Sequence, residues 1–221
     1  MRETPDIFPF LALGFLKNPF GTLTEPEWLA VTLLAPALTP LLEDATLNGV
    51  ILGARGRGKS TSLRYLTAYW RAQGAHIVYE RLAGGQHRYQ TPTADLDQFA
   101  LDEAQRLHVW ESVRLFRETH TKRLIIGTHR DISCGFRWHR RRIITIQLER
   151  LASAERLAAI LDRRLTMLAL DHTPRVRFTP EAVAALWNRY GDNLRAMNDT
   201  LYGVFQRLDH DGGITANDLD G

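Results

Sequence analysis

The segment Gly53-Ala54-Arg55-Gly56-Arg57-Gly58-Lys59-Ser60 matches the pattern G-x-x-x-x-G-K-[ST], and no other feature restricts the fold of this chain as strongly. The pattern works only as a loop between a buried strand and a helix. Its glycines let backbone amides converge on phosphate oxygens, and the following helix aims its positive dipole end at the same anion. In that frame Lys59 reaches the outer phosphates of a nucleotide and the Ser60 hydroxyl ligates Mg2+. Gly53 through Thr61 is therefore the candidate nucleotide-binding segment. The flanks supply the required context. Asn48 to Gly53 (NGVILG) reads as a short buried strand, and Thr61 to Gln73 sets Leu63, Leu66 and Trp70 on one helical face.

Further strands are predicted at Ala75 to Leu82, Leu96 to Leu101, Arg123 to Gly127 and Ile143 to Leu148, with a helix over Ala104 to Thr119. Strands alternating with helices imply a five-stranded parallel sheet sandwiched by helices, the α/β fold of P-loop nucleotide-binding proteins. After Leu151 the chain becomes helical. Ser153 caps a helix running to about Leu170, Thr179-Pro180-Glu181 opens another, and Asn193 to Leu208 forms a third. Ahead of the core, Thr24 and Glu27 form a capping box with Pro26 in the first turn, and Leu23 is placed to staple to Trp28. The expected organisation is an N-terminal linker and nucleotide-binding core over residues 1–150, then a small all-helical lid over 151–221.

The second chemical signal is Asp102-Glu103, which follows Lys59 by 43 positions at the end of a strand. Ligands collect at the carboxyl edge of open parallel sheets, so both carboxylates are expected beside the phosphate loop. Asp102 suits the Mg2+ ion and Glu103 suits a general base for an attacking water. A second carboxylate in this position favours hydrolysis over phosphoryl transfer to an acceptor. A small-molecule kinase is the weakest reading, because no acceptor site is evident.

Together these motifs resemble the AAA+ ATPases, over nearly the whole chain. Asp102-Glu103-Ala104-Gln105 resembles the DE-A-[QH] form of the initiator and transposition-helper branches, and Ile125-Ile126-Gly127-Thr128-His129 resembles sensor 1. Gly191-Asp192-Asn193-Leu194-Arg195 resembles the sensor 2 signature with one extra residue, and Asn18-Pro19-Phe20 resembles the linker that packs by the adenine. Thr215 to Leu219 resembles the family's lid ending. The resemblance implies ATP and Mg2+ as ligands, Thr128 as the sensor 1 contact, Arg195 as the lid arginine, and Asn18 and Phe20 near the base. It also implies an ATP-dependent homo-oligomer, a ring or a filament, with a subunit-bridging arginine. Arg130, Arg137, Arg140, Arg141 and Arg142 occupy the relevant interval, with Arg140 and Arg141 the preferred candidates.

Charge bears on partners. The net charge is only +3, but 25 of the 28 basic residues are arginine. Ten Lys/Arg against three acidic residues lie between Ala104 and Arg142, and five aspartates against Arg207 lie between Asp199 and Gly221. The first stretch is a candidate basic face, or else an ordinary solvated surface. The single cysteine, Cys134, excludes a disulfide framework and fits a reducing compartment. The apolar run Ile7 to Leu16 is interrupted by Pro9, is too short to span a bilayer, and lacks a cleavage site after it. A cytoplasmic protein with no membrane partner is expected.

Two departures from the family shape the functional reading. Only Ala83 to Asp95 connects the second and third strands, leaving little room for a helix or a polypeptide-gripping pore loop. Within it, Gly84 to Tyr89 suggests a short loop with Tyr89 at its tip, and His87 and Arg88 could face nucleic acid. The chain ends with the lid, so an output through assembly or a protein partner is expected. The leading reading is an ATPase acting on double-stranded DNA or a DNA-bound partner. The alternative is a STAND-like or chaperone-like nucleotide switch that regulates a protein without DNA. Asp209 to Thr215 mimics the start of a calcium loop but lacks its fifth- and sixth-position residues and reads as a polar turn.

Overall fold

A computed structural model describes residues 10–220; residues before Phe10, including the start of the apolar run, lie outside the described residues. The elements in chain order are α1 (Glu25–Val31), α2 (Pro40–Glu43), β1 (Asn48–Leu52), α3 (Lys59–Ala72), β2 (Ile77–Arg81) and β3 (Gln98–Asp102). They continue with α4 (Val109–Glu118), β4 (Arg123–Thr128), α5 (Ser133–Trp138), β5 (Ile143–Gln147) and α6 (Ala154–Leu168). The last are β6 (Val176–Phe178), α7 (Pro180–Tyr190), α8 (Leu194–Arg207) and β7 (Gly212–Ile214).

Two compact units result, 34–151 and 10–33 with 152–220. The N-terminal segment, expected with the core, thus clusters with the helices that follow residue 151. Apolar packing explains this. Leu13, Phe15 and Phe20 are buried in one cluster with Leu157, Leu161, Leu201 and Phe205.

In the first of these units the five strands lie parallel in the order β2-β3-β4-β1-β5. β1, β3 and β4 are buried along their whole length, as a sheet covered on both faces requires. Side chains alternate between the two faces. Val50, Phe99, Leu101, Leu124 and Ile126 pack with Leu115, Phe116 and Phe136, whereas Ile51, Ala100 and Ile125 pack with Leu41, Leu63 and Leu66. Gly135 is required where α5 meets α4, because a Cβ there would sit 2.4 Å from the Phe116 ring.

The helix expected over Ala104 to Thr119 is broken. A 3-10 turn covers Ala104–Arg106, and α4 starts only at Val109. The β2–β3 connection docks at the break, where His108 N donates to His87 O and His87 Nδ1 lies 2.8 Å from Arg106 O. Tyr89 is not at a tip. It is fully buried against Phe99, donates to Glu118 Oε2 at 2.7 Å, and lies under the Arg114 guanidinium at 4.3 Å. A short connection with no helix of its own covers the sheet with this one large side chain.

The basic stretch divides in the same way. Arg123 is buried and donates to Leu41 O, Leu47 O and Gln98 Oε1. Arg141 donates to Asn48 Oδ1, Lys122 O and Thr119 Oγ1, with its guanidinium 5.3 Å from the Phe136 ring centre. Burial pulls both guanidinium groups down to about 10. Arg141, half-buried, therefore pins the amino-terminal edge of the sheet with its guanidinium bonds rather than standing free at the surface. Arg140, beside it, is exposed with φ 52°, and Arg142 pairs with Asp44 at 3.1 Å.

The helical unit keeps the expected caps. Thr24 and Glu27 form the capping box, and Ser153, Thr179 and Asn193 cap α6, α7 and α8. It is not wholly helical, because β6 and β7 form a two-stranded parallel sheet. Residues Gly212–Ile214 of the calcium-loop mimic are spent on that strand. Among the described residues no helix is long and apolar enough to cross a membrane.

Tyr89→Phe removes one hydrogen bond to a carboxylate and is predicted to lower stability by about 1–2 kcal/mol in a denaturant titration. An unchanged midpoint would mean that Tyr89 is not the buried anchor described.

Candidate functional site

The register of the parallel sheet builds the site. Leu52 pairs with Thr128 and Leu101 with Ile126, so β1, β3 and β4 end at one edge. The phosphate loop leaves β1 there. Gly56 and Gly58 adopt φ 85° and 88°, left-handed values that a side chain would strain, and Gly58 leads directly into α3. The loop's amides and the free N–H groups of a 14-residue helix therefore share one edge of the sheet.

Lys59 is buried, with Nζ donating to Gly53 O at 2.6 Å and Ala54 O at 2.8 Å. Burial lowers its pKa from the ordinary lysine value, opposed by the carboxylates of Glu103, Asp102 and Glu149. Ser60 Oγ donates to Asp102 Oδ2 at 2.5 Å. Tyr79, on β2, donates its hydroxyl to the same oxygen at 3.0 Å, and Glu103 N donates to Asp102 Oδ1 at 2.9 Å. Asp102 is fully buried with both oxygens bonded. Gly127 on β4 leaves the room it needs, since a Cβ there would lie 2.7 Å from Asp102 Oδ1. Burial and the Asp102 bond push the Tyr79 phenol well above its ordinary value, so it serves as a donor.

Glu103 has φ 60°, an unusual left-handed value for a residue with a side chain. It is buried and receives a hydrogen bond from Gln105 Nε2 at 2.7 Å, with Arg106 Nη2 and His129 Nε2 each 3.5 Å from the same oxygen. Burial pushes its carboxyl up. The Gln105 bond and the His129, Arg106 and Lys59 charges outweigh this and hold it below the ordinary glutamate value. It stays ionised.

The structure thus brings Lys59, Ser60, Asp102 and Glu103 together. It does not bring in Thr128, whose buried hydroxyl donates to Arg130 O and accepts from Arg130 N. The strand-end side chain that reaches the cluster is His129, 3.5 Å from both Glu103 Oε2 and Lys59 Nζ. Asn18 and Phe20 are likewise used elsewhere. Asn18 donates to Tyr202 O, and Phe20 is buried 5.0 Å from Phe205 with Arg164 over its ring. Both side chains are thus held by packing and hydrogen bonds within the helical unit. Arg195 is exposed in the first turn of α8.

Tyr79, Gln105 and Glu149 were not foreseen. Only Gln105 carried a local signal, as the last residue of the D-E-A-Q string.

The residues fit a Mg2+ site of the kind completed by phosphate oxygens and water. A hydroxyl and a carboxylate converge at 2.5 Å, hard oxygen donors suited to that ion. Among the described residues no group of three or more His, Cys, Asp or Glu could hold a metal unaided.

No protein-family model matches the sequence, and comparison with curated proteins finds no match. Solved structures do match. The replication initiator DnaA bound to AMPPCP and single-stranded DNA is 15% identical over 85% of this chain and 67% of its own, with TM-score 0.58. The Thermotoga maritima RuvB Holliday junction branch migration motor is 16% identical over 83% of this chain and 64% of its own, with TM-score 0.57. Brucella abortus NtrX in complex with ATP is 17% identical over 92% of this chain and 57% of its own, with TM-score 0.54. The chain thus spans about two thirds of the first two and less of the third. At these identities the likeness is one of fold: the chain has the fold of the AAA+ P-loop ATPases.

Proposed function

We propose that this chain binds ATP with Mg2+, hydrolyses it, and assembles in an ATP-dependent way to act on DNA or a DNA-bound partner. The observation that carries the hydrolytic part is the convergence of Lys59, Ser60, Asp102 and Glu103 at the carboxyl edge of the sheet. Lys59 is placed to leave the Gly53 and Ala54 carbonyls and donate to phosphate oxygens. Ser60 and Asp102 would hold Mg2+, which neutralises charge developing on the phosphates when bound. Tyr79 keeps the Asp102 carboxylate oriented. The Glu103 contacts to Gln105, Arg106 and His129 all fall on Oε2, which leaves Oε1 to accept a proton from water as its oxygen attacks phosphorus and the bond to the departing diphosphate breaks. His129, in place of Thr128, takes the strand-end polar role.

Arg195 and Arg140, both exposed, are carried in this proposal as the lid arginine and the subunit-bridging arginine. The DNA part is supported by Arg117, Arg130, Arg137 and Arg140, which are exposed, as is Arg142 beside its Asp44 partner. It is supported too by the DnaA neighbour, which holds single-stranded DNA, and the RuvB neighbour, a Holliday junction motor. The second reading, a nucleotide switch acting on a protein, is favoured by Val109, Trp110 and Val113 on α4, which are 76%, 83% and 54% exposed.

Lys59→Ala is predicted to abolish ATP binding in equilibrium titration. Glu103→Gln is predicted to retain binding and lose about 100-fold or more in turnover, the usual contribution of a general base. Unchanged turnover removes Glu103 from catalysis. With a non-hydrolysable ATP analogue at low salt, the protein is predicted to bind double-stranded DNA with an affinity that falls steeply as salt rises. Absence of DNA binding, with nucleotide-dependent capture of a protein, selects the second reading.

A further inference from the structure

Glu149 lies in the 3-10 turn Leu148–Leu151, immediately after β5. β5 pairs with β1, and Gln147 is level with Leu52, the last residue before the phosphate loop. This brings a carboxylate onto the loop itself. Ala54 N donates to Glu149 Oε1 at 2.5 Å, and the same oxygen would lie 3.5 Å from a Cβ on Gly53. The Lys59 ammonium is meanwhile held by the Gly53 and Ala54 carbonyls of the same turn. One amide of an anion-collecting loop is thus engaged by an anion built into the chain.

We propose that Glu149 sets the affinity of the phosphate loop for nucleotide, by holding the Ala54 amide and opposing the approach of phosphate. The inference rests on the nucleotide reading of the loop. A carboxylate and a phosphate seek the same donors and repel one another. A charge-assisted bond to Ala54 N must also weaken before that amide can turn to another oxygen. Glu149 is exposed, so solvent screens the repulsion and limits the effect to a modest factor. Its charge also reaches Lys59, where it is one of three carboxylates favouring the protonated form. A site with three such carboxylates is poised to take a polyanion only with a cation alongside. Glu149 adds to that requirement without belonging to the pair that would hold the metal.

The test is a titration of a fluorescent ATP analogue with Mg2+ into the wild type, Lys59→Ala, Glu149→Gln and Glu149→Ala. Glu149→Gln keeps an acceptor for Ala54 N and loses the charge. It is predicted to bind about five- to tenfold more tightly than the wild type, with the gain shrinking at high salt. Glu149→Ala is predicted to bind at least as tightly as the wild type. If the wild type binds, Lys59→Ala does not, and Glu149→Gln is equal or weaker, the affinity role is overturned while the nucleotide reading stands. Weaker binding by Glu149→Ala alone identifies Glu149 as a brace for the loop and also overturns the proposal. If neither the wild type nor Glu149→Gln binds, both ideas fall.

Discussion

The hydrogen bond from Ser60 to Asp102 joins two elements that are 42 residues apart in sequence, and the rest of the site is arranged around it. Ser60 belongs to the first turn of α3 and Asp102 to the last position of β3. They meet only because β1, β4 and β3 are adjacent, parallel and in register, so the loop leaving β1 passes the end of β3. Gly127, between them on β4, permits the approach. Tyr79 closes the arrangement from β2, leaving a buried carboxylate bonded on both oxygens and held in one orientation.

Electrostatics around that pair are finely opposed. Lys59 is buried, a condition that disfavours its charge and outweighs the opposing pull of three carboxylates. Glu103 faces the same contest in the other sense, with Gln105, His129, Arg106 and Lys59 overcoming the cost of burial. The Lys59 ammonium and the Ala54 amide are satisfied by the chain's own carbonyls and by Glu149 respectively. Under the proposed function, binding a nucleotide would mean exchanging internal partners for phosphate oxygens, so affinity would be sensitive to each of these side chains.

How much of this could be read in advance depends on whether local residue types dictate the local backbone. Gly56 and Gly58 are legible because left-handed turns call for glycine, and the caps at Thr24, Ser153, Thr179 and Asn193 follow the same logic. The sheet strands are legible as short apolar runs. Tyr79 and Glu149 were not, since their roles depend on which strands lie side by side, and no local pattern encodes that. Arg140, Arg141 and Arg142 look alike in sequence yet end exposed, half-buried and hydrogen-bonded at the sheet edge, and paired with Asp44. The Asn18-Pro19-Phe20 motif is present, and within the helical unit the apolar core holds Phe20 while hydrogen bonds to Tyr202 O and Phe20 N hold Asn18. Thr128 and His129 differ by one position at a strand end, and only the turn that follows decides which faces the carboxylate.

The central claim is that Ser60 and Asp102 form the metal-holding half of a nucleotide site, and the dependence of ATP affinity on Mg2+ tests it most directly. Isothermal titration of ATP in Mg2+ and in EDTA, for the wild type and for Asp102→Asn, reads it. The account predicts that the wild type binds about tenfold or more tightly with Mg2+ and that Asp102→Asn loses most of that difference. Equal affinities with and without Mg2+ in the wild type, or a full Mg2+ effect retained in Asp102→Asn, would contradict it.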